Sequence, residues 1–138
     1  MQQKIIPLND FINGFTVAFD ELAELNPWQI TTSLQKIISK KILTLDKSFA
    51  IKDGIAIHTS AIIETGAILK APVIIGANCF VAANSCLRAG VYLADKVKVG
   101  MGCEIKSSII FNNSSIAHFN FIGDSIIGSN VNFEALGQ

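Results

Sequence analysis

Four cations recur at one interval: Lys52, Lys70, Arg88 and Lys106 stand eighteen residues apart. If the chain folds back on itself with that period, they form a column at about 4.8 Å per step, the spacing of paired strands. Like charges so close repel unless they are hydrated or neutralised, so the column is either a solvated edge or an anion site. Arg88 beside Lys106 is the part best suited to a phosphate monoester, a planar guanidinium next to an ammonium. Of the two histidines, His58 and His118, the second lies in the segment AHFNFIGD. An imidazole there is either an ordinary polar corner residue or a general base, since its proton exchanges near neutral pH. Two histidines cannot furnish a three-histidine zinc site in cis, and Cys79, Cys86 and Cys103 form no CxxC or Cys/His cluster, so no metal is expected. No serine nucleophile elbow, GxxxxGK loop or strand-borne GxGxxG occurs, which disfavours those enzyme classes.

The element that would place these residues is a hexapeptide frame. Every sixth residue from Ile51 is apolar: Ile57, Ile63, Leu69, Ile75, Val81, Leu87, Leu93, Val99, Ile105, Phe111 and Ala117. With half the composition apolar, chance gives that run in a preset phase about once in four thousand trials. Four positions after each frame residue come Ile55, Ala61, Ala67, Val73, Cys79, Ser85, Val91, Val97, Cys103, Ile109, Ser115 and Phe121, mostly small or β-branched and read as inward too. Six residues are too few for a strand plus a crossover helix, and a helical period would lose the phase, so the economical solution is a parallel β-helix. With three hexapeptides per triangular turn, the frame gives three apolar ladders. They are Ile51, Leu69, Leu87 and Ile105; Ile57, Ile75, Leu93 and Phe111; and Ile63, Val81, Val99 and Ala117. Cys79 and Cys103 then read as buried core filler. The phase slips near Phe121, where Ile122 and Ile127 are five apart, and a bulge or altered corner belongs there.

Residues 1 to about 50 do not follow the frame and read as a helical cap or arm. Asn9 is placed to cap a helix with Phe11, Ile12, Phe15, Phe19 and Leu22 on one stripe. Asn26 and Pro27 start a second, in which Ile30, Leu34, Ile37, Ile38 and Ile42 recur at helical spacing. Lys36, Lys40 and Lys41 come late, where they suit a helix C-terminus. The segment either covers the first coil, whose sheet edges would otherwise be bare, or docks another subunit. The β-helix spans 51–138, roughly four and a half coils. A net charge of zero over 138 residues gives no global attraction to nucleic acid or an anionic membrane. Neither a leader pattern nor a spanning apolar run occurs, so a cytoplasmic protein is the expectation.

The stretch 87–133 carries an arginine in LRAG, a lysine eighteen residues later, a histidine twelve beyond that in HFNFIGD, and then NVN. In this it resembles the acetyltransferase half of the bacterial bifunctional enzymes that acetylate glucosamine-1-phosphate and then uridylylate it, and related archaeal sugar-phosphate nucleotidyltransferases. The resemblance implies a left-handed β-helix that assembles as a homotrimer, with acetyl-CoA as cosubstrate and a sugar phosphate as ligand. It implies that Arg88 and Lys106 contact the phosphate, that His118 deprotonates the attacking amine, and that Phe121 and Asn132 line the substrate site. The family has tyrosine where this chain has Phe121, which removes a hydroxyl. The family continues beyond the equivalent of Gln138 through further coils that receive acetyl-CoA, and carries a nucleotidyltransferase domain for which fifty residues are too few. Turnover by these 138 residues alone is therefore expected to be weak. The implied chemistry is direct attack of an amine on the thioester, without a covalent enzyme intermediate. A rival reading is a non-catalytic trimeric binding or assembly module.

Overall fold

A computed structural model describes residue 19 and residues 25–134. The helix expected from Asn9 lies outside these residues, apart from Phe19, which is helical and fully buried. The described chain is mainly β, a parallel β-solenoid of about four turns with a short helical segment, consistent with a left-handed β-helix.

Helix α1, Pro27–Thr32, begins as Pro27 directs, and the Asn26 backbone N–H donates to Gln29 Oε1 at 2.7 Å. A single helix through Ile42 was expected; the structure breaks it at Ser33 and restarts as α2, Leu34–Ile42. The Thr32 hydroxyl donates to the Trp28 carbonyl at 2.6 Å, the competition with the helix ladder that disfavours threonine in helix interiors. Ile30, Leu34, Ile38 and Ile42 are nonetheless buried on one stripe.

The strands are β1 Phe49–Lys52, β2 Ile55–His58, β3 Ile62–Ile63, β4 Ile68–Leu69, β5 Val73–Ile75, β6 Phe80–Val81, β7 Cys86–Leu93, β8 Lys98–Val99, β9 Glu104–Ile110, β10 Ser115–Ile116, β11 Phe121–Gly123, β12 Ile126–Ile127 and β13 Asn132–Phe133. They stack as three faces: β2, β5, β7, β9 and β12; β3, β6, β8, β10 and β13; and β4, β7, β9 and β11, with β7 and β9 running round the corner between the first and third. Cys79, Val81, Leu87, Leu93, Val99, Cys103 and Ile105 point inward and are buried. Fully burying such an isoleucine, leucine or valine contributes about 1.5–3 kcal/mol.

Two expectations need correction. Ile51 is not a rung: β1 runs antiparallel to β2, and Ile51 is 47 % exposed. Asp53 and Gly54, both with positive φ (51° and 78°), form the two-residue turn between them, the geometry that Asp-Gly favours because it matches strand twist. β1 thereby covers the edge of β2. The helices pack on the side of the solenoid, across β5, β7 and β9, against Ile74, Tyr92, Ile109 and Phe111. The outward residues of the first face are thus apolar because a second layer covers them.

The second correction concerns register. Coils are eighteen residues long as far as Arg88↔Lys106, but Val91↔Ser108, Leu93↔Ile110, Val99↔Ile116 and Ile105↔Ile122 are seventeen apart. The extra residue of the earlier coil sits at Ala89 and Gly90, both left-handed (φ 59° and 90°). The slip expected at Ile122 to Ile127 is present, and it also occurs one coil earlier at the same corner, between Ile105 and Ile110. Ile110 and Ile116 therefore take the inward places expected for Phe111 and Ala117. Phe111 turns outward beneath the helices, and Phe121 is outward and exposed. In the run Ser108-Ile109-Ile110-Phe111 both phases offer an apolar residue, so counting alone could not detect the shift.

Candidate functional site

The third face carries the cations. Its outward side chains form two columns, Ile68, Cys86, Glu104 and Phe121 in one and Arg88, Lys106 and Gly123 in the other. The Lys70 backbone N–H donates to the Leu87 carbonyl at 2.9 Å, which sets Lys70 one rung before Arg88. Lys52 is absent from the column, because β1 is antiparallel and pairs Lys52 with Ile55. The expected row of four is a row of three.

Neither of the last two cations is bare. Arg88 donates from Nε to Glu104 Oε1 at 2.9 Å, with Nη2 2.8 Å from the same oxygen, and Lys106 Nζ lies 3.4 Å from Asp124 Oδ1. These side chains are a third to two-thirds exposed, so each pair contributes only about 0–1 kcal/mol to stability. The pairs matter more by removing the repulsion between stacked cations: the surface is an alternating, neutral quartet rather than a positive stripe.

Phe121 stands beside this quartet on β11, and His118 precedes it at the corner where the second face turns into the third. Phe121 pairs with Glu104 across the ladder and is 60 % exposed, its ring lying where a side chain on Gly123 would be. His118 is exposed and sits edge-to-face on Phe119, ring centroids 5.2 Å apart. Asn132 is not brought to this surface: it is exposed on β13, paired with Ser115 on the second face. The sequence reading passed over Glu104, Asp124 and Phe119. Their signal was available, since Glu104 is two residues before Lys106, on the same side of a strand, and Asp124 is eighteen after it.

The family described as hexapeptide repeat of succinyl-transferase matches residues 72–106. The "Bifunctional protein GlmU" of Methanococcus maripaludis is 46 % identical over 112 residues, covering 78 % of this chain and 27 % of the relative. The "Bifunctional sugar-1-phosphate nucleotidylyltransferase/acetyltransferase" of Sulfurisphaera tokodaii is 43 % identical over 51 residues, 37 % of this chain and 13 % of the relative. A GlmU protein of Desulfitobacterium hafniense is 51 % identical over 49 residues, 36 % of this chain and 11 % of the relative. The chain carries a hexapeptide-repeat, acetyltransferase-like domain. It spans about a quarter of the length of the Methanococcus maripaludis relative.

Inside this domain the corners are held by hydrogen bonds from inward polar side chains. Cys79 Sγ donates to the Ala94 carbonyl at 2.8 Å and Cys103 Sγ to Ala117 at 3.0 Å; Ser85 and Ser114 donate from equivalent corners to Gly100 and Gly128. Burial pushes the Cys79 thiol up to about 11 and raises that of Cys103. Both thiols are therefore structural, poor nucleophiles. No group of three His, Cys, Asp or Glu converges among the described residues, and no helix there is long and apolar enough to cross a membrane.

Proposed function

We propose that this domain belongs to an acetyl-CoA-dependent N-acetyltransferase acting on an amino-sugar 1-phosphate. The observation that carries the reading is the pairing of Arg88 with Lys106 on adjacent rungs, with Phe121 opposite Glu104 on the next rung of the same face. Arg88 and Lys106 hold the phosphate, exchanging part of their contact with Glu104 and Asp124 for it. Phe121 offers an apolar wall to the sugar ring. His118 takes the proton from the ammonium, leaving a neutral amine to attack the thioester carbonyl; a base in that role contributes about a hundred- to ten-thousandfold in rate. The thiolate of coenzyme A leaves, and no acyl-enzyme forms.

The working form in this reading is a homotrimer. Among the described residues the helices occupy the first face and no helix packs on the second or third, where Ile62 and Ile68 stand outward and exposed. In such an assembly the second face of one subunit can approach the third face of the next, which is how Asn132 would join Arg88 and Lys106. A thiol-release assay with acetyl-CoA and glucosamine-1-phosphate tests the reaction on native protein and on His118→Ala. The expected result for these 138 residues is weak product formation that His118→Ala abolishes; turnover indifferent to that substitution would remove His118 from the mechanism.

A further inference from the structure

The corner that bears His118 repeats one backbone conformation coil after coil. Gly66, Asn84, Gly102 and Phe119 occupy it in turn, with φ of 100°, 62°, 72° and 59°. Glycine and asparagine enter this left-handed region readily; a phenylalanine there is an outlier. Nor does burial compensate, because Phe119 is 61 % exposed. A Cβ on Gly102 would lie 2.6 Å from Phe119 Cδ1, so the ring rests in space that only a glycine leaves open. Its other contact is the His118 imidazole, at an interplanar angle of 84°. Backbone strain spent on an exposed ring has no folding gain to account for it, and such strain concentrates at functional sites.

We propose that Phe119 is a positioning residue: its ring, seated on Gly102, fixes the rotamer of the His118 imidazole. Among the described residues no hydrogen bond holds that imidazole, so its orientation depends on the aromatic contact. A confined imidazole presents the same nitrogen at every encounter, whereas a rotating one is productive for only a fraction of the time. The catalytic part of the proposal rests on the reading of His118 as the base; the orientation of the ring is independent of it.

The test separates the two. Phe119→Gly removes the ring and relaxes the backbone, so the fold is kept, while Phe119→Tyr keeps the ring. With only two histidines in the chain, NMR of the full protein reads His118 directly and His58 serves as the internal control. In native protein and Phe119→Tyr, His118 should show cross-peaks to the residue-119 ring and a ring-current shift; Phe119→Gly should lose both while His58 is unchanged. In the acetyl-transfer assay Phe119→Gly should lower kcat by about ten- to a hundredfold at unchanged KM, and Phe119→Tyr should restore it. Native protein without the cross-peaks, or Phe119→Gly with an unaltered His118 spectrum, overturns the proposal. Equal kcat in native protein and Phe119→Gly overturns its catalytic part. The NMR signature together with turnover that survives His118→Ala upholds the positioning and removes His118 as the base instead.

Discussion

Raising the pH should destabilise this domain through Cys79, a buried residue outside the candidate site. Burial raises its thiol to about 11 in the folded protein, from an ordinary value of 9.0. The folded state therefore holds its proton more tightly than the unfolded state does. That contribution to stability is complete below pH 9 and is lost as the pH rises through 11. Two pH units correspond to about 2.7 kcal/mol at the limit, and about 1.4 kcal/mol is already lost at pH 10. With a urea dependence of about 1–3 kcal/mol/M for a domain of this size, the midpoint at pH 10 should fall by about 0.5–1.4 M from this group alone. Cys79→Ser supplies the comparison. Ser85 already fills an equivalent corner and donates to the Gly100 carbonyl at 2.9 Å, so a serine at 79 can keep the bond to Ala94 without titrating. Urea denaturation of both proteins at pH 7 to 10.5, at one fixed protein concentration, should show the native midpoint falling more steeply than that of the variant. Parallel declines would refute the assignment of alkaline sensitivity to Cys79.

Arg88→Ala should weaken glucosamine-1-phosphate binding by about ten- to a hundredfold in calorimetry, the loss of one charge-assisted contact of about 1.5–3 kcal/mol; unchanged affinity would remove Arg88 from the site. Glu104→Gln should act in the opposite direction, because it frees Arg88 from a competing carboxylate: up to about fivefold tighter binding is expected from an exposed pair worth at most about 1 kcal/mol, and weaker binding would show that Glu104 itself holds ligand. Light scattering at micromolar concentration should give the mass of a trimer, and a monodisperse monomer would contradict three-fold assembly through the open faces. Ile75→Ala, which empties a fully buried rung, should cost about 2–5 kcal/mol by urea denaturation, and a loss below 1 kcal/mol would mean that the coil beneath it is not closed.

The six-residue period determined by itself that the chain forms a parallel solenoid. A repeat that buries one side chain per face, with small residues at the corners, has few other ways to exclude water. It also stacked Arg88 on Lys106 and turned Cys79 and Cys103 inward, because those relations involve only coils of constant length. Tertiary structure decided the rest. The one-residue shortening after Ile105 was masked by consecutive apolar residues, and only strand pairing selects Ile110 over Phe111. The antiparallel hairpin withdrew Lys52 from the cation column, since strand direction is set by the Asp53-Gly54 turn and not by hydropathy. The helices went to a side face because Ile74, Tyr92 and Ile109 point outward there; the inward-facing frame does not read that layer, and it set Ile109 inward because it missed the shortened coil. The ion-pair partners of Arg88 and Lys106, and the ring of Phe119 resting on Gly102 against His118, depend on distances across coils, which spacing along the chain can order but not measure.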